Sequence, residues 1–131
     1  MSYLLDTNIC IPFLNEKETA LADRLRALSP DDVKLCGIVK AELLYGARCS
    51  KKVEANLANL DRFFEAFESL PFDDAAAAHY GSLRSQLRRN GTPVGANDMM
   101  IAAIAFSTDC TLVTRNSDEL RQIAGLRVAI W

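Results

Sequence analysis

The sequence predicts a single α/β domain with a mainly parallel central sheet flanked by helices. Three observations predict it. Short apolar runs alternate with longer helical patterns along the whole chain. Acids and turn residues punctuate the ends of the short runs. The length, 131 residues, supplies one hydrophobic core and not two, so residues 1–131 form one domain.

The elements follow in order. Tyr3 to Asp6, YLLD, reads as a short buried strand followed at once by a helical segment, ICIPFLN. Pro12 fits there only within a first helical turn or at a break. ETALADRLRALS places Leu21, Leu25 and Leu28 at helical spacing and stops at Ser29-Pro30. VKLCGI is a second strand, and VKAELLYGARCS a helix. KKVEANLANLDRFFEAF is another helix, with Leu57, Leu60, Phe64 and Phe67 on one stripe. ESLPF is a third strand. DDAAAAHYGSLRSQLRRNG is a long helix with acids at its start, arginines near its end, and Asn90-Gly91 to stop it. DMMIAAIAFSTD is apolar nearly all round and therefore a buried helix. TLVT is a fourth strand, SDELRQIAG a short helix, and LRVAI a final strand. There is no internal repeat and no linker.

Composition excludes several classes. Half of the residues are hydrophobic and 24% are charged, which is ordinary globular usage and not that of a disordered or fibrous chain. No apolar run reaches the roughly 18 residues that span a bilayer. The N-terminus meets Asp6 too early for a secretory signal, so a cytoplasmic protein with no membrane partner is expected. The net charge of −2 argues against a protein that holds duplex DNA by bulk electrostatics. It leaves room for a nuclease whose acids gather around a cation. The four cysteines, Cys10, Cys36, Cys49 and Cys110, are unpaired in sequence. They read as small buried hydrophobes and not as zinc ligands.

In a parallel sheet the reactive site lies at the carboxyl ends of the strands, near the point where strand order reverses. That makes the acid positions informative. Asp6 ends the first strand, Glu42 sits in the helix after the second, and Asp98 opens the buried helix. Asn116, Asp118 and Glu119 follow the fourth strand. Each also has a plainer role. Asp6, Asn97 or Asp98 would serve as a helix cap, Asp118 likewise, and Glu119 as an exposed helix residue. Glu42 is harder to place on a surface, because Val39, Ala41, Leu43 and Leu44 around it are apolar. Two carboxylates about 5 Å apart repel by roughly 3 kcal/mol at an effective dielectric near 20. If Asp6, Glu42 and Asp98 converge, they call for protons or a cation. Hard oxygens without His or thiolate partners select Mg²⁺ or Mn²⁺.

LLDTNICI, VKAELLYGA, RRNGTPVGANDMMIAA and LVTRNSDEL, taken together and in this order, resemble the PIN-domain ribonucleases. More narrowly they are similar to VapC, the toxin of VapBC toxin–antitoxin pairs. The resemblance covers essentially the entire chain. It implies that Asp6, Glu42 and Asp98 are the acids that bind Mg²⁺ or Mn²⁺ and activate water to cut an RNA phosphodiester. It implies supporting roles for Thr7, Asn8 and Thr114. At Asn116 many members carry a fourth aspartate, so the fourth ligand and the metal count are open, and Glu119 is an alternative that would act through water. The resemblance further implies a VapB-type antitoxin whose tail packs over an apolar groove and brings a basic residue toward the acids.

The chemistry suits the residue types. A bound divalent ion neutralises charge that grows on the phosphate and lowers the pKa of its water. Glu42 is the expected proton acceptor. His79 lies in a different helix and reads as structural. Arg115, beside the fourth strand, and Arg84, Arg88 and Arg89, at helical spacing, are the expected RNA contacts. The resemblance suggests a tRNA anticodon loop as one target. A homodimer is expected from the mean hydropathy of +0.03 and from the surplus apolar residues of ICIPFLN and NLANLDRFFEAF. A haloacid-dehalogenase phosphatase would need a second acid where Asn8 stands. A receiver domain would need a lysine where Arg115 stands. The stronger rival is a PIN fold that binds RNA or protein without cutting, yet none of its first three acids is missing here.

Overall fold

A computed structural model describes residues 1–15, 19–115 and 117–131. Five strands form one sheet: β1 (Tyr3–Leu5), β2 (Val33–Cys36), β3 (Glu68–Leu70), β4 (Thr111–Val113) and β5 (Val128–Ala129). Their order is β3-β2-β1-β4-β5, and every neighbouring pair is parallel. Strand order therefore reverses at β1, which puts the crevice between β1 and β4 at its carboxyl end. Leu4 and Leu5 pair with Leu112 and Val113, and all four are fully buried. Strands covered on both faces read as continuous apolar runs, which is why these short stretches are so hydrophobic.

The helices are α1 (Thr7–Leu14), α2 (Thr19–Arg26), α3 (Gly37–Arg48), α4 (Val53–Glu65), α5 (Asp74–Asn90), α6 (Ala96–Thr108) and α7 (Ser117–Leu120). A short 3-10 turn, Pro30–Asp32, leads into β2. Among these, α6 is the central helix. Ile101, Ala102, Ala103, Ile104 and Ala105 are buried in succession, as expected of a helix with no polar face. α5 packs against it as an antiparallel hairpin. Its N-terminus is capped by Asp73, which accepts from the Ala76 amide at 3.0 Å. Gly91 ends it in the left-handed conformation, φ 66°, which only glycine adopts without cost. The His79 and Phe106 rings stack at 5.6 Å and 11°, joining the first half of α5 to the last half of α6. The other end of α5 therefore lies beside the start of α6, at the carboxyl edge of the sheet. His79 is otherwise exposed.

Several boundaries differ from the sequence reading. α1 begins at Thr7 and not at Ile9, because Asp6 caps it, with φ −77° and ψ 159°. Pro12 consequently falls in the second turn, inside the helix, where a first-turn or break position was expected. Such a proline leaves the carbonyl one turn back without its usual donor. α3 begins at Gly37, so VKLCGI is strand only to Cys36. SDELRQIAG is helical only to Leu120, and LRVAI shortens to Val128–Ala129. Cys10, Cys36 and Cys110 are buried as expected, but Cys49 is exposed. It caps the C-terminus of α3, one residue beyond the last turn that faces the core. Among the described residues no helix is long and apolar enough to cross a membrane.

Candidate active site

Asp6 stands where β1 becomes α1, and its amide continues the ladder by donating to the Val113 carbonyl at 2.9 Å. The residue is 4% exposed. One carboxylate oxygen accepts from the Thr7 amide at 2.8 Å, and the other accepts from the Thr114 hydroxyl at 2.8 Å. Capping therefore does not compete with a place at the sheet's carboxyl edge: the carboxylate that caps α1 also stands at the end of β1. Burial still pushes its proton affinity above the usual carboxylate value, and the bonds from Thr114 and Thr7 offset only part of that shift.

A small network holds this corner in place. Thr114 is fully buried at the end of β4. The Asn8 amide nitrogen donates to the Thr114 hydroxyl at 3.2 Å, and Asn8 Oδ1 accepts from the Arg115 amide at 3.0 Å. One asparagine in the first turn of α1 therefore ties down the chain where it leaves β4. Sequence reading reached Asn8 and Thr114 only through family resemblance. They lie 106 residues apart, and the network now supplies their physical reason.

Glu42 lies in the second turn of α3, half-buried. Burial raises its proton affinity, and the charges of Asp6 and then Asp98 raise it further. The three acids therefore share one electrostatic neighbourhood. The Thr7 and Asn97 side chains act on Glu42 in the opposite direction. The Thr7 hydroxyl stops short of hydrogen-bond geometry. It is a buried polar atom without a hydrogen-bond partner among the described residues, and a buried hydroxyl in that state calls for one. Asn97 was expected only as a cap. The cap of α6 is Gly95, with no side-chain bond, so neither Asn97 nor Asp98 caps it. Both face the acids from within the first turn. The clue in the sequence was the pairing of an amide with Asp98 at a helix start.

Fit to a divalent cation rests on this donor set. The oxygens are hard, burial raises the proton affinities of both Asp6 and Glu42, like charge adds to that of Glu42, and an orphaned hydroxyl lies among them. As placed, no three His, Cys, Asp or Glu side chains among the described residues close to common ligand distance. Mutual repulsion among the carboxylates opposes closer approach. Glu119 is half-buried on α7 and is not among the charges acting on Glu42. Asn116 lies outside the described residues. Arg115 is exposed at the end of β4, while Arg84, Arg88 and Arg89 are exposed along α5.

Beside Glu42 a groove of about 260 Å³ runs between α1, α3 and α4, lined by Ile11, Leu14, Leu43 and Leu60 with the amides of Asn15 and Asn59. Of the apolar residues of ICIPFLN and NLANLDRFFEAF, Ile11, Leu14 and Leu60 reach this groove, while Phe13, Phe63, Phe64 and Phe67 pack in or against the core. Ile11 is 48% exposed on its wall.

The PIN domain model matches residues 3–126. The chain is 37% identical to the tRNA(fMet)-specific endonuclease VapC of Shigella flexneri, over all of this chain and 98% of that protein. Its fold superposes on VapBC2 from Rickettsia felis bound to a promoter DNA fragment with a TM-score of 0.94, at 36% identity and covering 100% and 99% of the two chains. DNA-bound VapBC from Salmonella typhimurium gives a TM-score of 0.94 at 37% identity, covering 100% and 98%. Matched by the domain model over residues 3–126 and by VapC relatives over its full length, the chain belongs to the PIN-domain family, in its VapC ribonuclease branch.

Proposed function

We propose that this chain is the toxin of a type II toxin–antitoxin pair and hydrolyses RNA phosphodiester bonds with Mg²⁺, or Mn²⁺, held by Asp6, Glu42 and Asp98. The observation that carries the reading is Glu42, which feels the charges of both Asp6 and Asp98 across the end of β1. When bound, the cation supplies charge neutralisation at the phosphate and a lowered pKa for water. The protein does the rest. Thr114 and the Thr7 amide fix the Asp6 carboxylate in orientation, as hydrogen bonds to ligating carboxylates do. Glu42, as a carboxylate the cation would not fully use, would accept the proton of the attacking water. Arg115 stands at the rim, where a phosphate would arrive.

The similarity to a tRNA(fMet)-specific endonuclease makes initiator tRNA the substrate to try, cut in its anticodon loop. The VapBC neighbours support a VapB-type partner, and the apolar groove beside Glu42 is where its tail would lie. The test is cleavage of an initiator tRNA transcript with Mg²⁺, with EDTA, and by Asp98→Asn. Discrete cleavage that EDTA and Asp98→Asn both abolish is expected. Intact RNA bound by the wild-type chain in Mg²⁺ and in Mn²⁺ would instead favour a PIN fold that binds without cutting.

A further inference from the structure

α5 presents a cationic and aromatic face that the reaction above does not use. Arg84, Arg88 and Arg89 are exposed, and no acid follows Asp74 within the helix. None of the three pairs with a carboxylate among the described residues. The cations are thus uncompensated, in a chain whose net charge is −2. Arg84 is held in place. Its guanidinium lies 5.8 Å over the Tyr80 ring and donates to the Tyr80 hydroxyl at 2.9 Å. Tyr80 in turn meets Phe72 edge to face at 6.2 Å.

Phe72 is 40% exposed and does not join the core. A plain role exists for it. It precedes the cap Asp73, where an apolar residue often packs on the fourth helical position. That position is Ala77, whereas the ring partner of Phe72 is Tyr80, nearly a turn farther on. Stapling leaves its open face unexplained.

The hairpin with α6 gives the strip a direction. Arg88 and Arg89 lie at the Asp98 end, and Phe72 lies at the other. Seventeen residues span about 25 Å at 1.5 Å each. We propose that this face binds the RNA flanking the cut, a nucleobase stacking on Phe72 and phosphates meeting Arg84 and Arg88, so that the strand is led to the acids. The proposal rests on the ribonuclease reading and adds Phe72, Tyr80 and a polarity to it. Charge favours RNA over a second copy of the chain. A two-fold contact through this face would set the arginines against themselves, whereas phosphates neutralise them.

The experiment measures binding of an initiator tRNA transcript and of a short loop oligonucleotide to Asp98→Asn protein, across a salt series. Arg84→Gln with Arg88→Gln should lower the slope of log K against log salt by about 1.4 and weaken tRNA binding about tenfold. Phe72→Ala should weaken it about fivefold or more without changing the slope, and Phe72→Trp should restore it. Both deficits should be larger on tRNA than on the oligonucleotide. Unchanged affinity and slope in variants with wild-type circular dichroism would overturn the proposal. So would loss of a homodimer in light scattering, which would make this a face between copies. Cleavage by the chain without Asp98→Asn is scored separately. Its absence sinks the ribonuclease reading, while unchanged binding sinks this one.

Discussion

The Thr114 hydroxyl donates to Asp6 Oδ2 at 2.8 Å, joining the ends of β4 and β1 across 108 residues of sequence. Thr114 is fully buried, so the bond is not in exchange with solvent. It lowers the proton affinity of Asp6 against the opposing effect of burial. Thr114→Val keeps the shape and removes the donor. The Asp6 pKa then rises further, and the acid limb of the cleavage pH profile moves to higher pH. Activity at neutral pH should fall about 10–100-fold, the usual cost of losing a partner that orients a ligating carboxylate. Thr114→Ser should recover most of it. An unmoved acid limb in Thr114→Val would detach this bond from the chemistry.

Stability should depend on pH with an unusual sign. Asp6 and Glu42 both hold protons more tightly in the folded chain than at their usual values of 3.8 and 4.5. The folded state then binds more protons than the unfolded one, so these two groups stabilise least when ionised. Their contribution is greatest below about pH 4 and is lost as pH rises through the folded pKa values. Asp6→Asn keeps an acceptor for the Thr7 amide and removes the buried charge. Its Tm at neutral pH should match or exceed wild type by roughly 3–5 °C. The difference should vanish at acid pH. A large loss of stability at every pH would show that capping outweighs charge at this residue.

Divalent cations should reverse that penalty. A ligand that binds only the folded state stabilises it by mass action, about 2.7 kcal/mol at a hundredfold excess over Kd. Mg²⁺ or Mn²⁺ should raise the wild-type Tm at neutral pH, while Asp98→Asn and Glu42→Gln should respond weakly. Differential scanning fluorimetry with a metal series reads this without any RNA. Equal responses in all three proteins would remove the acids from the metal site.

Asp6 was legible in the sequence because a strand end followed directly by an acid fixes its position in a parallel sheet. Glu42 was picked out because its neighbours Val39, Ala41, Leu43 and Leu44 are apolar, although Leu44 proves exposed and Glu42 itself half-buried. What sequence could not supply was the third dimension. Asn8 reaches Thr114 only because β1 and β4 pair. Asn97 turns toward Glu42 only because Gly95 has already opened α6. Pro12 was misplaced by the same kind of local fact, since the Asp6 cap starts α1 two residues early. Phe72 and Tyr80 went unnoticed because one precedes the helix and the other sits on it, and their contact exists only once α5 is wound.

Apolar side chains on α3 bear on self-association. Tyr45 is 73% exposed, with Leu44 beside it also exposed. Exposed apolar surface of this kind marks contact sites. The expected homodimer should bury it, and Tyr45→Glu should shift the chain toward monomer in sedimentation velocity. A wild-type monomer at micromolar concentration would refute the dimer outright.

The groove between α1, α3 and α4 gives the last expectation. Ile11 forms part of its wall and is exposed enough that replacing it costs the core little, in contrast to the neighbouring Leu43 and Leu60, which are buried. Ile11→Glu adds a carboxylate to a groove that already contains Glu42 and removes apolar contact area for an antitoxin tail. Affinity for the cognate antitoxin should therefore fall at least about tenfold, equivalent to roughly 1.4 kcal/mol. A basic residue in that tail would regain part of the loss by pairing with the introduced carboxylate, so the deficit should grow with salt. Calorimetric titration at two ionic strengths measures both effects. Undiminished affinity at both would place the antitoxin elsewhere on the fold.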